Sequence, residues 1–316
     1  MSKMKTLVIA IGGNSLIKDA KHQKVEDQYS CVCETSKFIA ELIEAGHRVV
    51  ITHGNGPQVG FILLRSEYSR GILHEVPLDS IGADTQGAIG YQIQQAMQNE
   101  LWIRGLRKSV VTVVTQTLVE SSDPAFQKPT KPIGPFYKKE QADERMAHEK
   151  WSMVEDSGRG WRRVVPSPKP VRVIESKAIQ DLVERGVVVV AAGGGGIPVV
   201  RDDQGRLKGV AAVIDKDYAS AILAKEIGAD LFIISTGVEQ VCLNFGKPDQ
   251  KTLSVMTRDE AMKYLKEGHF AAGSMKPKVE ACLQFIDGGG QEALITSPEA
   301  LERALAGKTG TRIVRS

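Results

Sequence analysis

The chain has 316 residues, 42% of them hydrophobic and 25% charged, with a formal net charge of +3. That length suits one or two soluble globular domains, and so small a charge does not argue for nucleic acid. The longest apolar stretch, from Val187 to Val200, is shorter than the roughly 20 residues a membrane helix needs and is interrupted by glycines.

The N-terminal MSKMKTLVIAIGG runs straight into a strand without a signal-peptide cleavage pattern. Cysteines at 31, 33, 242 and 282 are too scattered for a disulfide framework, and both features lead us to expect a cytoplasmic protein. Thr6 to Ile11 reads as a buried parallel strand. A helix over Val25 to Ala45 stops at Gly46 before the strand Arg48 to Thr52. A helix over Asp79 to Arg104 stops at Gly105 before Val110 to Val114. Glu175 to Arg185 stops at Gly186 before Val187 to Ala191, and Lys216 to Ile227 stops at Gly228 before Leu231 to Ile234. Glycine just past a helix supplies the left-handed cap that ends it. Repeated helix–glycine–strand units predict an α/β protein with a mainly parallel sheet and helices on both faces. Ligands of such sheets gather at the carboxyl ends of the strands, where the glycine turns lie.

Residues 121–170 break the rhythm. They are proline-rich, bounded by SSDPAF and PSPKP, and carry Phe126, Phe136 and Trp151 as aromatics for a small core. We read them as an inserted subdomain, and so long an insertion tends to carry function. Interspersed acidic residues argue against single-stranded nucleic acid there.

Common nucleotide signatures fail. In AGKTGT the glycine a P-loop requires is replaced by Glu302, and neither GNGPQVG nor GGGGIP fits the dinucleotide fingerprint. The glycine turns suggest another way to hold phosphate. Gly12-Gly13-Asn14, Gly54-Asn55-Gly56 and the run Gly193 to Gly196 each follow an apolar strand. Glycine lets backbone N–H groups approach an anion, and we expect the four-glycine run to mark close approach to a small ligand. Lys131 in PTKPIGPFY, Lys216 in VIDKDYAS and Lys278 in GSMKPKVE add compact positive charge, with Asp215 and Asp217 bracketing Lys216. His53 is expected to be a structural hydrogen-bonding group. The inventory suits phosphoryl transfer between two anions, not metal hydrolysis or a nucleophilic triad.

In order along the chain, GGN, HGNGPQVG, TQGAIGYQIQQA, PTKPIGPFY, RRVVPSPKPVRVIE, GGGGIPV, AVIDKDYAS, LNFGKPDQ and HFAAGSMKPKVEA resemble carbamate kinases of the amino-acid kinase family over the full length. The resemblance implies a three-layer αβα sandwich with an open, mainly parallel sheet and a small protruding subdomain. It implies a carbamate or carbamoyl-phosphate lobe over 1–214, interrupted by the insertion at 121–170, and a nucleotide lobe over 215–316. It implies a homodimer catalysing carbamoyl phosphate + ADP ⇌ carbamate + ATP with Mg²⁺, usually toward ATP in the arginine deiminase pathway. Lys131, Lys216, Asp217 and Lys278 look like the catalytic set. Gly12, Gly13, Asn14, Gly54, Asn55 and Gly195 would line the carbamate and phosphate site. Asp215, Lys247, Pro248 and Met275 would lie near the nucleotide. The chain departs from the family pattern at Ser15, Thr85, Ala272 and Lys276. Alternatives are a kinase for another small carboxylate on this fold, or a silent nucleotide-binding homologue.

Overall fold

A computed structural model describes residues 4–19, 21–156 and 158–315; the side chain of Asn14 lies outside the described parts. In chain order the strands are β1 (Thr6–Ile11), β2 (Arg48–His53), β3 (Val110–Thr112), β4 (Gln116–Val119), β5 (Lys131–Tyr137), β6 (Ser152–Glu155), β7 (Trp161–Val165), β8 (Pro170–Val173), β9 (Val188–Val190), β10 (Ile197–Arg201), β11 (Leu207–Gly209), β12 (Leu231–Ser235), β13 (Val241–Leu243), β14 (Lys251–Leu253), β15 (Val255–Thr257), β16 (Glu292–Thr296) and β17 (Thr311–Val314). The helices are α1 (Val25–Glu44), α2 (Gly56–Tyr68), α3 (Leu78–Ile103), α4 (Lys139–Glu149), α5 (Ser176–Glu184), α6 (Lys216–Glu226), α7 (Arg258–Lys266), α8 (Met275–Asp287) and α9 (Leu301–Leu305).

Among the described residues the main sheet has eight strands in the order β15-β17-β16-β12-β1-β2-β9-β3, parallel except where β17 meets β16. Its central strands are mostly apolar, with Leu7 to Ile11 and Leu231 to Ile234 continuously so, because both faces are covered. In β1, Leu7, Ile9 and Ile11 pack with α1, α3 and α9, while Val8 and Ala10 pack with α5, α6 and α8. The period of two thus splits one apolar run between two cores. This is the three-layer α/β/α arrangement expected from the sequence. Gly46, Gly105, Gly186 and Gly228 all have positive φ, from 64° to 94°, as helix-ending caps require.

The sequence reading missed α2. The helix begins immediately at the GNGP turn, with Pro57 fixing φ in its first turn. Residues 131–165 form a separate antiparallel sheet, β5-β7-β6, flanked by α4. Its small core holds Tyr137, Ala142 and Met153 with Met146, Trp151 and Trp161 packed against them. Of the three aromatics expected in that core only Trp151 is there. Phe126 packs beside Val119 and Ile214, and Phe136 is 43% exposed beneath Arg159 and Arg162. No helix among the described residues is long and apolar enough to cross a membrane.

Candidate active site

Three helices start at one place. The N-termini of α2, α6 and α8 open onto a cavity of about 210 Å³ above the carboxyl ends of the central strands. Helix starts present unpaired N–H groups and positive dipole ends, so the cavity favours an anion before any side chain is counted. The side chains add to that bias. Lys131 of β5, and Lys216 and Lys278 at the starts of α6 and α8, line the cavity together with Asp215 and Asp217. Three ammoniums against two carboxylates leave an excess of positive charge.

These groups form a fixed lattice. Asp217, 4% exposed, receives Lys278 Nζ on Oδ2 at 3.0 Å and Lys216 on Oδ1. Burial alone would raise its pKa, but the two ammoniums outweigh burial and hold it well below the ordinary carboxylate value. Asp215 caps α6: its Oδ1 accepts from the Asp217 N–H at 3.0 Å, and its Oδ2 accepts from Lys131 Nζ at 3.0 Å. The acidic cap of the helix and the partner of Lys131 are therefore one residue.

Asn55, at the start of α2, has a determined orientation. Thr85 Oγ1 donates to the Gly82 carbonyl at 2.8 Å, so it must accept from Asn55 Nδ2 at 2.9 Å. That leaves Asn55 Oδ1 as an acceptor without a hydrogen bond among the described residues, on the wall of a cavity whose two carboxylates, Asp215 and Asp217, are already engaged by lysines. Behind it lies His53, fully buried. Burial, and secondarily Lys216, push its pKa down to about 4, and a hydrogen bond between Nδ1 and the Gly54 carbonyl at 2.9 Å accounts for its expected structural role.

The four-glycine run has a packing role that the sequence did not reveal. A Cβ on Gly193 would lie 2.4 Å from His53, on Gly194 2.0 Å from Asn55, on Gly195 2.6 Å from the Ile214 carbonyl and on Gly196 2.0 Å from Thr117. Each glycine makes room for a different protein group, so close packing of the protein itself requires the run. Gly194 lines the cavity, whereas Gly195 is buried under Ile214.

A second cavity, of about 540 Å³, adjoins the first and shares Lys216 and Lys278 with it. Gly12 and Gly13 line this one, with Thr236, Gly237 and Ser297. The sequence reading grouped Gly12 and Gly13 with Gly54 and Asn55; the structure separates the pairs into neighbouring cavities. Thr236 and Gly237 were missed, although a glycine just after buried β12 is the same signal that marked Gly12. Met275 is the first residue of α8, half-buried, and Lys247 and Pro248 occupy an exposed turn between β13 and β14; none of the three lines either cavity. Among the described residues no group of three or more His, Cys, Asp or Glu side chains could hold a metal by itself.

A family model described as the amino acid kinase family matches residues 5–297. The carbamate kinase of Thermococcus kodakarensis is 51% identical over 315 residues, covering 99% of this chain and 100% of that protein. The carbamate kinase-like protein YahI of Escherichia coli K12 is 51% identical over 313 residues, covering 98% and 99%. The solved structure of Giardia lamblia carbamate kinase bound to AMP-PNP is 43% identical, with a TM-score of 0.94 over 100% of both chains. The chain belongs to the amino acid kinase family. Within that family it is an enzyme of the carbamate kinase group.

Proposed function

We propose that the protein transfers a phosphoryl group reversibly between carbamoyl phosphate and ADP, giving carbamate and ATP. The observation that carries this reading is the shared wall: Lys216 and Lys278, cross-linked by Asp217, stand between a cavity of about 210 Å³ and one of about 540 Å³. A very small acyl phosphate suits the first and nucleotide phosphates suit the second. The β-phosphate oxygen of ADP attacks phosphorus, the bond from phosphorus to the carbamoyl oxygen breaks, and carbamate leaves as an anion. No general base is needed, because both nucleophile and leaving group are anions at neutral pH. The lysines neutralise the charge on the transferring oxygens, which is the principal demand of phosphoryl transfer.

Asn55 Oδ1 favours carbamate over other small carboxylates. It needs a donor from the ligand, and a carbamoyl group carries an N–H where an acetyl group carries a methyl. Gly12 and Gly13 sit where nucleotide phosphates would lie, with Asn14 beside them. Asp215 lines the smaller cavity and Met275, Lys247 and Pro248 line neither, so their nearness to the nucleotide rests on the family resemblance alone. Magnesium would be carried on the nucleotide phosphates. That fits a donor set whose two carboxylates are already engaged by lysines, since this ion keeps waters and phosphate oxygens as ligands. On this reading residues 1–214 hold the acyl phosphate, with Lys131 supplied by the insertion, and residues 215–316 hold the nucleotide, joined by Gly12 and Gly13 at its phosphates.

We assign the ATP-forming direction in arginine or related carbamoyl-phosphate catabolism, on the family resemblance. Free thiols at all four cysteines agree with a cytoplasmic setting. A homodimer through α3 and the edge strand β3 is supported by exposed Tyr91 and Trp102, which lie three turns apart on one face of α3.

The test is ATP formation from ADP, Mg²⁺ and carbamoyl phosphate, with acetyl phosphate in parallel. We expect preference for carbamoyl phosphate, and a fall in turnover of about 10² or more in Lys216→Ala or Lys278→Ala. Equal rates with acetyl phosphate would remove Asn55 from the selection. Full turnover in either folded lysine variant would remove the lysines from the mechanism.

A further inference from the structure

A cavity of about 340 Å³ lies apart from the two described above. Leu63 of α2, Leu78 and Asp79 at the start of α3, Trp151 and Arg163 of the inserted subdomain, and Ala211 form its wall. It therefore sits at the joint between the insertion and the main body. Most of its charged groups are already paired. Arg70 is bound to Glu75 at 2.8 Å and to Glu149, while Glu67 accepts from the Tyr137 hydroxyl at 2.7 Å and faces Arg145 at 3.5 Å.

Two groups are left over. Arg163 has no ion pair or hydrogen bond from its guanidinium among the described residues; it lies over the Trp151 ring at 4.3 Å. Burial pulls its pKa down, against the pull of Glu67 and Tyr137. Asp79 likewise has no ion pair or side-chain hydrogen bond among the described residues, and Gly209 leaves it room, since a Cβ there would lie 2.1 Å from Asp79 Oδ2. One unpaired cation and one unpaired anion thus line the same cavity, with Leu63 and Leu78 as its buried apolar lining. A simple anion would be opposed by Asp79 and Glu75, and a simple amine would leave Arg163 uncompensated.

We propose that this cavity binds a small amino acid as its zwitterion, with the carboxylate on Arg163, the ammonium on Asp79 and an aliphatic portion over Leu63 and Leu78. The volume is at the lower end of small-molecule sites, roughly 300–1,000 Å³. Occupancy has a direct route to the active site. In the antiparallel pair of β5 and β7, Arg163 is opposite Ile133 and Val165 is opposite Lys131. A ligand that grips Arg163 from the main body holds the two strands that deliver Lys131. The effect on turnover rests on the phosphoryl-transfer reading; the binding does not.

The experiment is calorimetric titration of the full-length protein, without substrates, using glycine, L-leucine, L-glutamate and L-arginine, with acetate and methylammonium as half-ligands. We expect at least one amino acid to bind saturably, with both half-ligands at least about tenfold weaker, since each makes only one of the two charged contacts. Arg163→Met and Asp79→Asn should each weaken binding about tenfold or more, with Arg163→Lys in between because it keeps the charge and loses the fork. Asp79→Asn keeps the test open if Arg163→Met does not fold. The proposal is overturned if no amino acid binds at millimolar concentration, if acetate binds as well as the amino acid, if the folded variants retain wild-type affinity, or if carbamoyl phosphate displaces the ligand competitively.

Discussion

Asp217 and Gly194 illustrate how the site depends on single residues. Asp217 was legible because two carboxylates bracket a lysine at a strand-to-helix junction, and the structure adds that the same carboxylate also holds Lys278 from sixty-one positions away. The packing role of Gly194 was not legible because its neighbours come from distant segments, which sequence spacing does not reveal. With a φ of 65° and Asn55 within 2.0 Å of a Cβ, Gly194→Ala should displace the Asn55 amide. We expect the KM for carbamoyl phosphate to rise about tenfold or more while the KM for ADP changes little, because one charge-free hydrogen bond to the acyl group is lost or distorted. Steady-state kinetics varying each substrate in turn decides it, and a parallel rise for ADP would sink the assignment. His53 makes a second prediction. Its pKa falls from 6.5 in the unfolded chain to about 4 when folded. Between those values the unfolded chain takes a proton that the folded one refuses, so stability drops as pH falls through that window. The full contribution is roughly 3 kcal/mol at about 1.4 kcal/mol per pKa unit. Denaturant midpoints of the wild type and His53→Gln from pH 7 to pH 4 should converge as the acid-induced loss disappears in the variant; parallel curves would refute the assignment.

Among the elements, the sequence foretold the helix–glycine–strand units most clearly, because burial on both faces writes continuous apolar strands and the left-handed cap demands glycine. It hid α2, whose first turn is a glycine and a proline that read as a loop. It also hid how closely α3 lies on β3. A Cβ at Gly90 would come within 2.3 Å of Thr112 Cγ2, which shows that the helix approaches the strand through a glycine. Gly90→Ala, despite the better helix propensity of alanine, should therefore destabilise the protein by about 1–3 kcal/mol through overpacking. Equilibrium unfolding would show this as a lower denaturant midpoint at unchanged slope. A stabilised variant would mean that Thr112 can turn away at little cost.

For the whole molecule, the order of motifs was enough to foresee the layers, while the assignment of turns to cavities needed three dimensions. Gly12 and Gly54 end adjacent parallel strands yet face different cavities. Assembly is predicted from the same scale. Replacing Tyr91 and Trp102 together by glutamate should convert a dimer to a monomer in light scattering, because like charges would be buried across a symmetric contact. A monomeric wild type would remove that interface. The shared wall has a consequence for stereochemistry. Its two lysines and Asp217 are locked to one another, and His53 is fully buried, so none of these four groups is free to accept phosphorus on the way across. A group passed directly between the two cavities turns inside out like an umbrella. Carbamoyl phosphate made chiral with oxygen isotopes and sulfur should yield a nucleotide of inverted configuration, and labelled carbamate should not exchange into carbamoyl phosphate unless nucleotide is present.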